Sequence, residues 1–142
     1  MKFYHLMLAV SLLSLSFSGC ATTTTGKAFE TSESQVKLRA MQTRAFDTTD
    51  KKKLMQTVIS TMQDLDFVID KADFTLGSVT GTKFFQNNAL QMSVTVRPRG
   101  EKQLLVRANA QVGIKAIEDA ATYQDFFTSL EKSLFLTAQQ VD

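Results

Sequence analysis

Leu90-Gln91-Met92-Ser93-Val94-Thr95-Val96-Arg97-Pro98-Arg99-Gly100-Glu101-Lys102-Gln103-Leu104-Leu105-Val106-Arg107-Ala108-Asn109-Ala110-Gln111-Val112 is the stretch on which the fold turns. Leu90, Met92, Val94 and Val96 alternate with Gln91, Ser93, Thr95 and Arg97, which is the period of a strand with one buried and one wet face. Leu104, Val106, Ala108, Ala110 and Val112 repeat the pattern after Pro98-Arg99-Gly100-Glu101-Lys102 turns the chain. Two alternating runs about a turn that contains Gly make a β-hairpin. Pro98 falls at a strand end, where a missing N–H does least damage.

Upstream, Leu54, Met55, Val58, Ile59, Met62 and Leu65 recur at steps of three and four, the stripe of an amphipathic helix. Asp47-Thr48-Thr49-Asp50 stands before it with side-chain oxygens that can cap its first N–H groups. Phe67-Val68-Ile69 reads as a buried strand and Asp73-Phe74-Thr75-Leu76-Gly77 as a turn. Ser78 to Phe85 reads as a Thr/Val strand in which Gly81 marks a bulge or a close packing contact. Val36 to Phe46 reads as a strand of mixed polarity. Beyond the hairpin, Tyr123, Phe126, Phe127, Leu130, Leu134 and Ala138 form a second helical stripe, with Thr122 and Asp125 in a capping-box pattern.

The order β-α-β-β-β-β-α predicts an α+β fold, an antiparallel sheet of four to five strands with two helices on one face. It occupies residues 36–142 as a single domain.

The first 35 residues are of another kind. Met1-Lys2 precedes an apolar run from Phe3 to Phe17, shorter than the roughly 20 residues that cross a bilayer and broken by serines. Ser18-Gly19-Cys20 closes it, so residues 1–19 are expected to be a secretory signal peptide. Residues 20–35 are polar and rich in Thr and Ser, as a flexible tether would be.

The 142 residues hold 16 Lys and Arg against 14 Asp and Glu, with 44% hydrophobic residues, the make-up of a globular domain. Loss of residues 1–19 would take Lys2 and no acid, leaving 15 bases against 14 acids. A balance so close to neutrality argues against nucleic acid as a partner. His5 and Cys20 are the only His and Cys, so a chain beginning at Cys20 has no His and, once that thiol is used, no free Cys. His-based triads, Cys-His nucleophiles and Cys/His metal sites are thereby removed, and neither a cofactor nor a metal is implied.

Three local patterns invite chemistry and each has a plainer reading. Ser129-Leu130-Glu131-Lys132 fits S-x-x-K but lacks the companion S-D-N and K-T-G elements, which leaves a helix surface. Gly77-Ser78-Val79-Thr80-Gly81-Thr82-Lys83 has the wrong spacing for a phosphate loop and reads as strand. Asp64, Asp66, Asp70 and Asp73 flank a strand and not a calcium loop. Two basic groups remain as contact surfaces. Lys51-Lys52-Lys53 opens a helix against its dipole. Arg97, Arg99, Lys102 and Arg107 gather on the hairpin around the single acid Glu101, and are the candidate partner contact.

Phe17-Ser18-Gly19-Cys20 resembles the lipobox of bacterial lipoproteins, with Phe17 where Leu is usual. The resemblance implies that Cys20 is diacylglycerated and becomes the acylated amino terminus, and Ala21 in place of Asp implies the outer membrane, facing the periplasm. Several buried acyl chains hold a protein firmly where one does not. The stretch from Leu54 to Lys83, with Asp64-Leu65-Asp66-Phe67-Val68-Ile69, an acidic turn, and Gly77 before a Val/Thr strand, resembles the repeated domain of BamC (NlpB) and related lipoprotein domains. That resemblance implies a helix-grip-like fold. It departs in having one domain and a short tether, so membership of that protein-assembly machinery does not carry over. The chain is also similar to small proteobacterial lipoproteins that share Leu38 to Arg44 and Tyr123-Gln124-Asp125-Phe126-Phe127. The expectation is a non-enzymatic accessory or scaffold in a cell-envelope complex. The alternative is a binding module for a lipid or small apolar ligand, in a cavity between Phe126, Phe127 and Leu130 and the Leu90 to Val96 strand.

Overall fold

A computed structural model of the chain describes residues 34–139. The signal-like segment, Cys20 and the tether up to residue 33 lie outside the described residues. The chain runs through α1 (residues 34–41), β1 (Thr43–Phe46), α2 (Lys51–Asp64), β2 (Val68–Asp73), β3 (Ser78–Phe85), β4 (Asn88–Arg99), β5 (Gln103–Val112), β6 (Lys115–Ala116) and α3 (Ala120–Gln139). The fold is α+β, as the alternating pattern predicts. The antiparallel sheet has the order β1-β5-β4-β3-β2, and β6 adds a sixth strand beside β5. Among the described residues no helix is long and apolar enough to cross a membrane.

The hairpin fixes everything else. Leu90↔Val112, Met92↔Ala110, Val94↔Ala108 and Val96↔Val106 are paired, so the apolar sets of both strands share one face. α2 and α3 lie on that face. Leu54, Met55, Val58 and Met62 from α2 and Tyr123, Phe126, Phe127 and Leu130 from α3 are buried there with Val79, Met92, Val94, Val96, Leu104, Val106, Ala108 and Ala110. Phe126 and Phe127 meet edge to face at 5.1 Å, and the Arg44 guanidinium sits 5.1 Å from the Phe127 ring centroid, capping the aromatic pair.

Pro98 lies within β4 and not in the turn, which is residues 100–102. The backbone N–H of Val96 donates to Gly77 O (2.8 Å) on the β3 side. Two residues on, the Pro98 nitrogen therefore faces the same side, past the end of the β3 ladder at Ser78↔Thr95, where no donor is needed.

α2 starts as its sequence suggests, with the Asp50 carboxylate accepting from Lys53 N–H (2.9 Å). It ends where Asp66 takes a left-handed φ of 65°, with Phe67 N–H donating to Met62 O (2.9 Å) and Asp66 N–H to Gln63 O (3.0 Å). That reversal is a Schellman closure of the helix. Lys83 Nζ donates to the free Leu65 carbonyl (3.0 Å) and lies 3.3 Å from Asp66, tying β3 to the helix end. Gly81 packs closely under α2, where a Cβ would fall 2.9 Å from both Met62 Cε and Val68 O. The bulge is on its partner strand, between Ile69 and Lys71.

Several expectations need correction. Residues 34–41 are helix, and only Thr43–Phe46 of the expected Val36 to Phe46 strand is strand. Gln35, Lys37, Leu38, Arg39, Ala40 and Met41 are good helix formers, Leu38 and Met41 pack on the core one turn apart, and Arg44 Nη1 donates to the terminal carbonyl of Ala40 (3.0 Å). The same helix takes up Ser34 and Gln35, which the sequence reading assigns to the tether. Val68 is 59% exposed, so Phe67-Val68-Ile69 is not buried throughout; it enters an edge strand that extends to Asp73. α3 begins at Ala120, and Asp119, not Thr122, caps it by accepting from Thr122 N–H (3.4 Å).

Candidate functional site

Among the described residues the helices cover one face of the sheet only. On the opposite face none of the residues brought there by strand alternation is buried, from Val68 and Lys71 on β2 through Thr80, Thr95 and Arg107 to Thr43 and Ala45 on β1. A sheet with one solvated face is ordinary for antiparallel strands, and its polar alternation is what makes the hairpin legible. What distinguishes this face is its charge.

The hairpin register assembles the basic residues. Thr95 pairs with Arg107, Arg97 with Leu105, and Arg99 with Gln103. All six therefore lie on the open face, and Arg97 and Arg107 are diagonal neighbours, roughly 7 Å or less apart at Cβ. Lys102 is exposed in the turn beyond them. Among the described residues, none of Arg97, Arg99, Lys102 and Arg107 has a carboxylate within 4 Å; the ion pair that does form, Lys83 with Asp66, belongs to the helix end. Arg97, Arg99 and Arg107 thus share one face, with Lys102 in the turn at its end, and none of the four is ion-paired among the described residues.

A shallow depression of about 420 Å³ opens among Thr95, Arg97, Leu105, Arg107 and Asn109. Arg107, one of the lining residues, is half-buried. Its Nε is closed off from solvent and meets no hydrogen-bond acceptor. Thr95, Leu105 and Asn109 are additions to the sequence-derived set. The signal for them is present, because a turn of residues 100–102 with Arg99 opposite Gln103 puts every odd-numbered residue of both strands on this side.

Other candidate groups resolve into structural roles. Lys51 Nζ donates to Thr75 O (2.9 Å) and pins the β2–β3 turn to the start of α2, while Lys52 and Lys53 are exposed. The Gly77 to Lys83 stretch runs into β3 and opens no helix. The acids of the Asp64 to Asp73 stretch are dispersed. Asp70 accepts from Thr82 Oγ1 (2.7 Å), and Asp73 accepts from Leu76 N–H (2.8 Å). Among the described residues, no group of three or more His, Cys, Asp or Glu is placed to hold a metal.

The space expected to hold an apolar ligand lies between the last helix and the Leu90 to Val96 strand. There Phe126, Phe127 and Leu130 are at most 2% exposed and belong to one buried cluster with Met92, Val94 and Val96. A smaller cleft of about 190 Å³ sits beside them, lined by Phe67, Phe85, Leu90, Met92 and, at its polar rim, Lys83 and Asp125.

No protein-family model matches the chain, and no curated protein matches it either.

Proposed function

We propose that this chain is a non-enzymatic accessory or scaffold domain of the bacterial cell envelope, acylated at Cys20, held at the outer membrane facing the periplasm, and engaging a protein partner through the open face of its β4–β5 hairpin. The observation that carries the reading is the set Arg97, Arg99, Lys102 and Arg107, displayed on one solvated sheet face with no counter-charge within 4 Å among the described residues. Like charges held this close destabilise the free surface slightly and favour association with an oppositely charged one. The lipobox-like Phe17-Ser18-Gly19-Cys20 supports the anchor, and the likeness of Leu54 to Lys83 to BamC-type domains supports an envelope role.

Native mass spectrometry of the protein, released gently from detergent-solubilised envelopes, tests the reading. A stoichiometric protein passenger that is lost from an Arg97→Ser, Arg99→Ser, Lys102→Ser triple variant of unchanged thermal stability is the expected result. Retention of the passenger by that variant removes the hairpin from the interface, and a lipid passenger in place of protein favours a carrier. Cys20→Ser should release the protein from the membrane fraction; normal retention would refute the anchor.

A further inference from the structure

We propose that the depression on the open face is a carboxylate-binding site for an extended acidic protein segment, in which Arg107 and Arg97 each take one carboxylate, from side chains two residues apart. This rests on the accessory reading and names the chemistry its partner must carry.

Three observations converge on Arg107. Its Nε is shielded from water and without an acceptor among the described residues, which leaves the two Nη groups as the edge of the guanidinium that a ligand in the depression can reach. A carboxylate that accepts from both Nη groups in a fork makes two charge-assisted hydrogen bonds there and leaves the shielded Nε out of the contact. Arg97 lies diagonally across the β4–β5 pair, with Arg97↔Leu105 and Thr95↔Arg107 in register. In an extended peptide, side chains on one face recur every two residues, roughly 6.8 Å, close to the diagonal separation of these two arginines. Thr95, Asn109 and the apolar Leu105 complete the lining of the depression.

The surroundings favour carboxylate over phosphate. Phosphate sites draw on convergent backbone N–H groups at helix starts or nests. Here the backbone belongs to an unbroken ladder from Leu90↔Val112 to Arg99↔Gln103, and the helices among the described residues pack on the opposite face. Recognition is left to side chains, and planar guanidinium forks match planar carboxylates.

The test uses 15N-labelled protein and the side-chain guanidinium resonances of its arginines. Titration with the peptide Glu-Ser-Glu-Ser-Glu should shift the Arg107 and Arg97 signals saturably, and Glu-Ser-Ser-Ser-Glu should bind several-fold more weakly. Arg107→Gln and Arg107→Lys should each weaken binding about tenfold or more, since the lysine keeps the charge but loses the fork. Asn109 is exposed, so Asn109→Asp tests the site without disturbing the core; its added carboxylate should compete for the arginines and suppress peptide binding. Equal affinity for the two peptides, full binding by Arg107→Lys, or saturation of the same signals by inorganic phosphate or phosphatidylglycerol vesicles in preference to peptide would overturn the proposal. A protein that keeps its envelope passenger in native mass spectrometry yet shows no saturable shift at Arg107 refutes the carboxylate site alone. Peptide binding in a protein with no passenger refutes the accessory role instead.

Discussion

Removing one oxygen from the core, by Tyr123→Phe, probes a contact that joins residues far apart along the chain. The Tyr123 hydroxyl donates to Ile117 O (2.7 Å) and accepts from Gln42 Nε2 (3.1 Å) and Ala110 N–H (3.3 Å). It sits in a gap in the sheet. β1 pairs with β5 as far as Arg107, Gln42 O accepts from Ala108 N–H, and β6 takes up pairing at Gln111, so among the described residues no strand serves the Ala110 N–H. With phenylalanine the ring still fills its space, but two donors, on Ala110 and Gln42, lose their acceptor, and both residues are buried. A stranded buried donor costs about 1–3 kcal/mol, and the length of these two bonds argues for the lower end. Ile117 is only half-buried, so water can replace the hydroxyl at its carbonyl. The expected loss is about 2–3 kcal/mol, a fall in Tm on the order of 10–20 °C for a domain of this size.

Urea unfolding followed by far-ultraviolet circular dichroism measures the loss as a lower midpoint with an unchanged m value. Native-state hydrogen exchange should locate it as faster exchange at the Ala110 amide. Adding Gln42→Leu removes one stranded donor together with its partner, so the double variant should lose less than the sum of the two single ones. A loss below about 0.5 kcal/mol for Tyr123→Phe, or strict additivity with Gln42→Leu, would show that the hydroxyl does not bridge these elements.

Other perturbations follow from the same geometry. Thr61 is fully buried in α2 and its Oγ1 has no hydrogen-bond partner, so Thr61→Val should stabilise the domain by about 1 kcal/mol, readable as a higher urea midpoint. Gly77 has φ of +71°, and a Cβ there would press on the Val96 carbonyl and Lys51 Cε; Gly77→Ala should cost about 1–3 kcal/mol from the backbone alone, checked by thermal unfolding. Asp50→Ala removes the acceptor for Lys53 N–H and should cost about 1 kcal/mol, whereas Asp50→Asn should keep most of the cap.

The hairpin, α2 and α3 are legible in the sequence because burial imposes a period of two on strands and of three to four on helices, and these segments are long enough to display it. Segments with few apolar residues are less legible. Residues 34–41 have Val36, Leu38 and Met41, too few to separate the two periods, and Arg44 settles the matter by capping the helix and then reaching the Phe127 ring. β6 is two residues long, and Lys115 and Ala116 carry no alternation; it exists because β5 extends past the end of β1 and leaves Gln111 and Val112 to be paired. The left-handed turn at Asp66 has no warning either, since Gly or Asn is the usual signal there.

The sequence by itself determined the α+β class, the buried face of the hairpin, a capping cluster from Asp47 to Asp50 and the gathering of Arg97, Arg99, Lys102 and Arg107, because each depends on residues close along the chain or on a simple period. Only the tertiary structure decided that Tyr123 answers Gln42 and Ala110, that the helices cover one face with Phe126 in the buried cluster there, and that Arg107 Nε lies buried without an acceptor on the other. Those facts depend on which groups meet across long loops and on whether water still reaches them, and a linear pattern of residue types encodes neither.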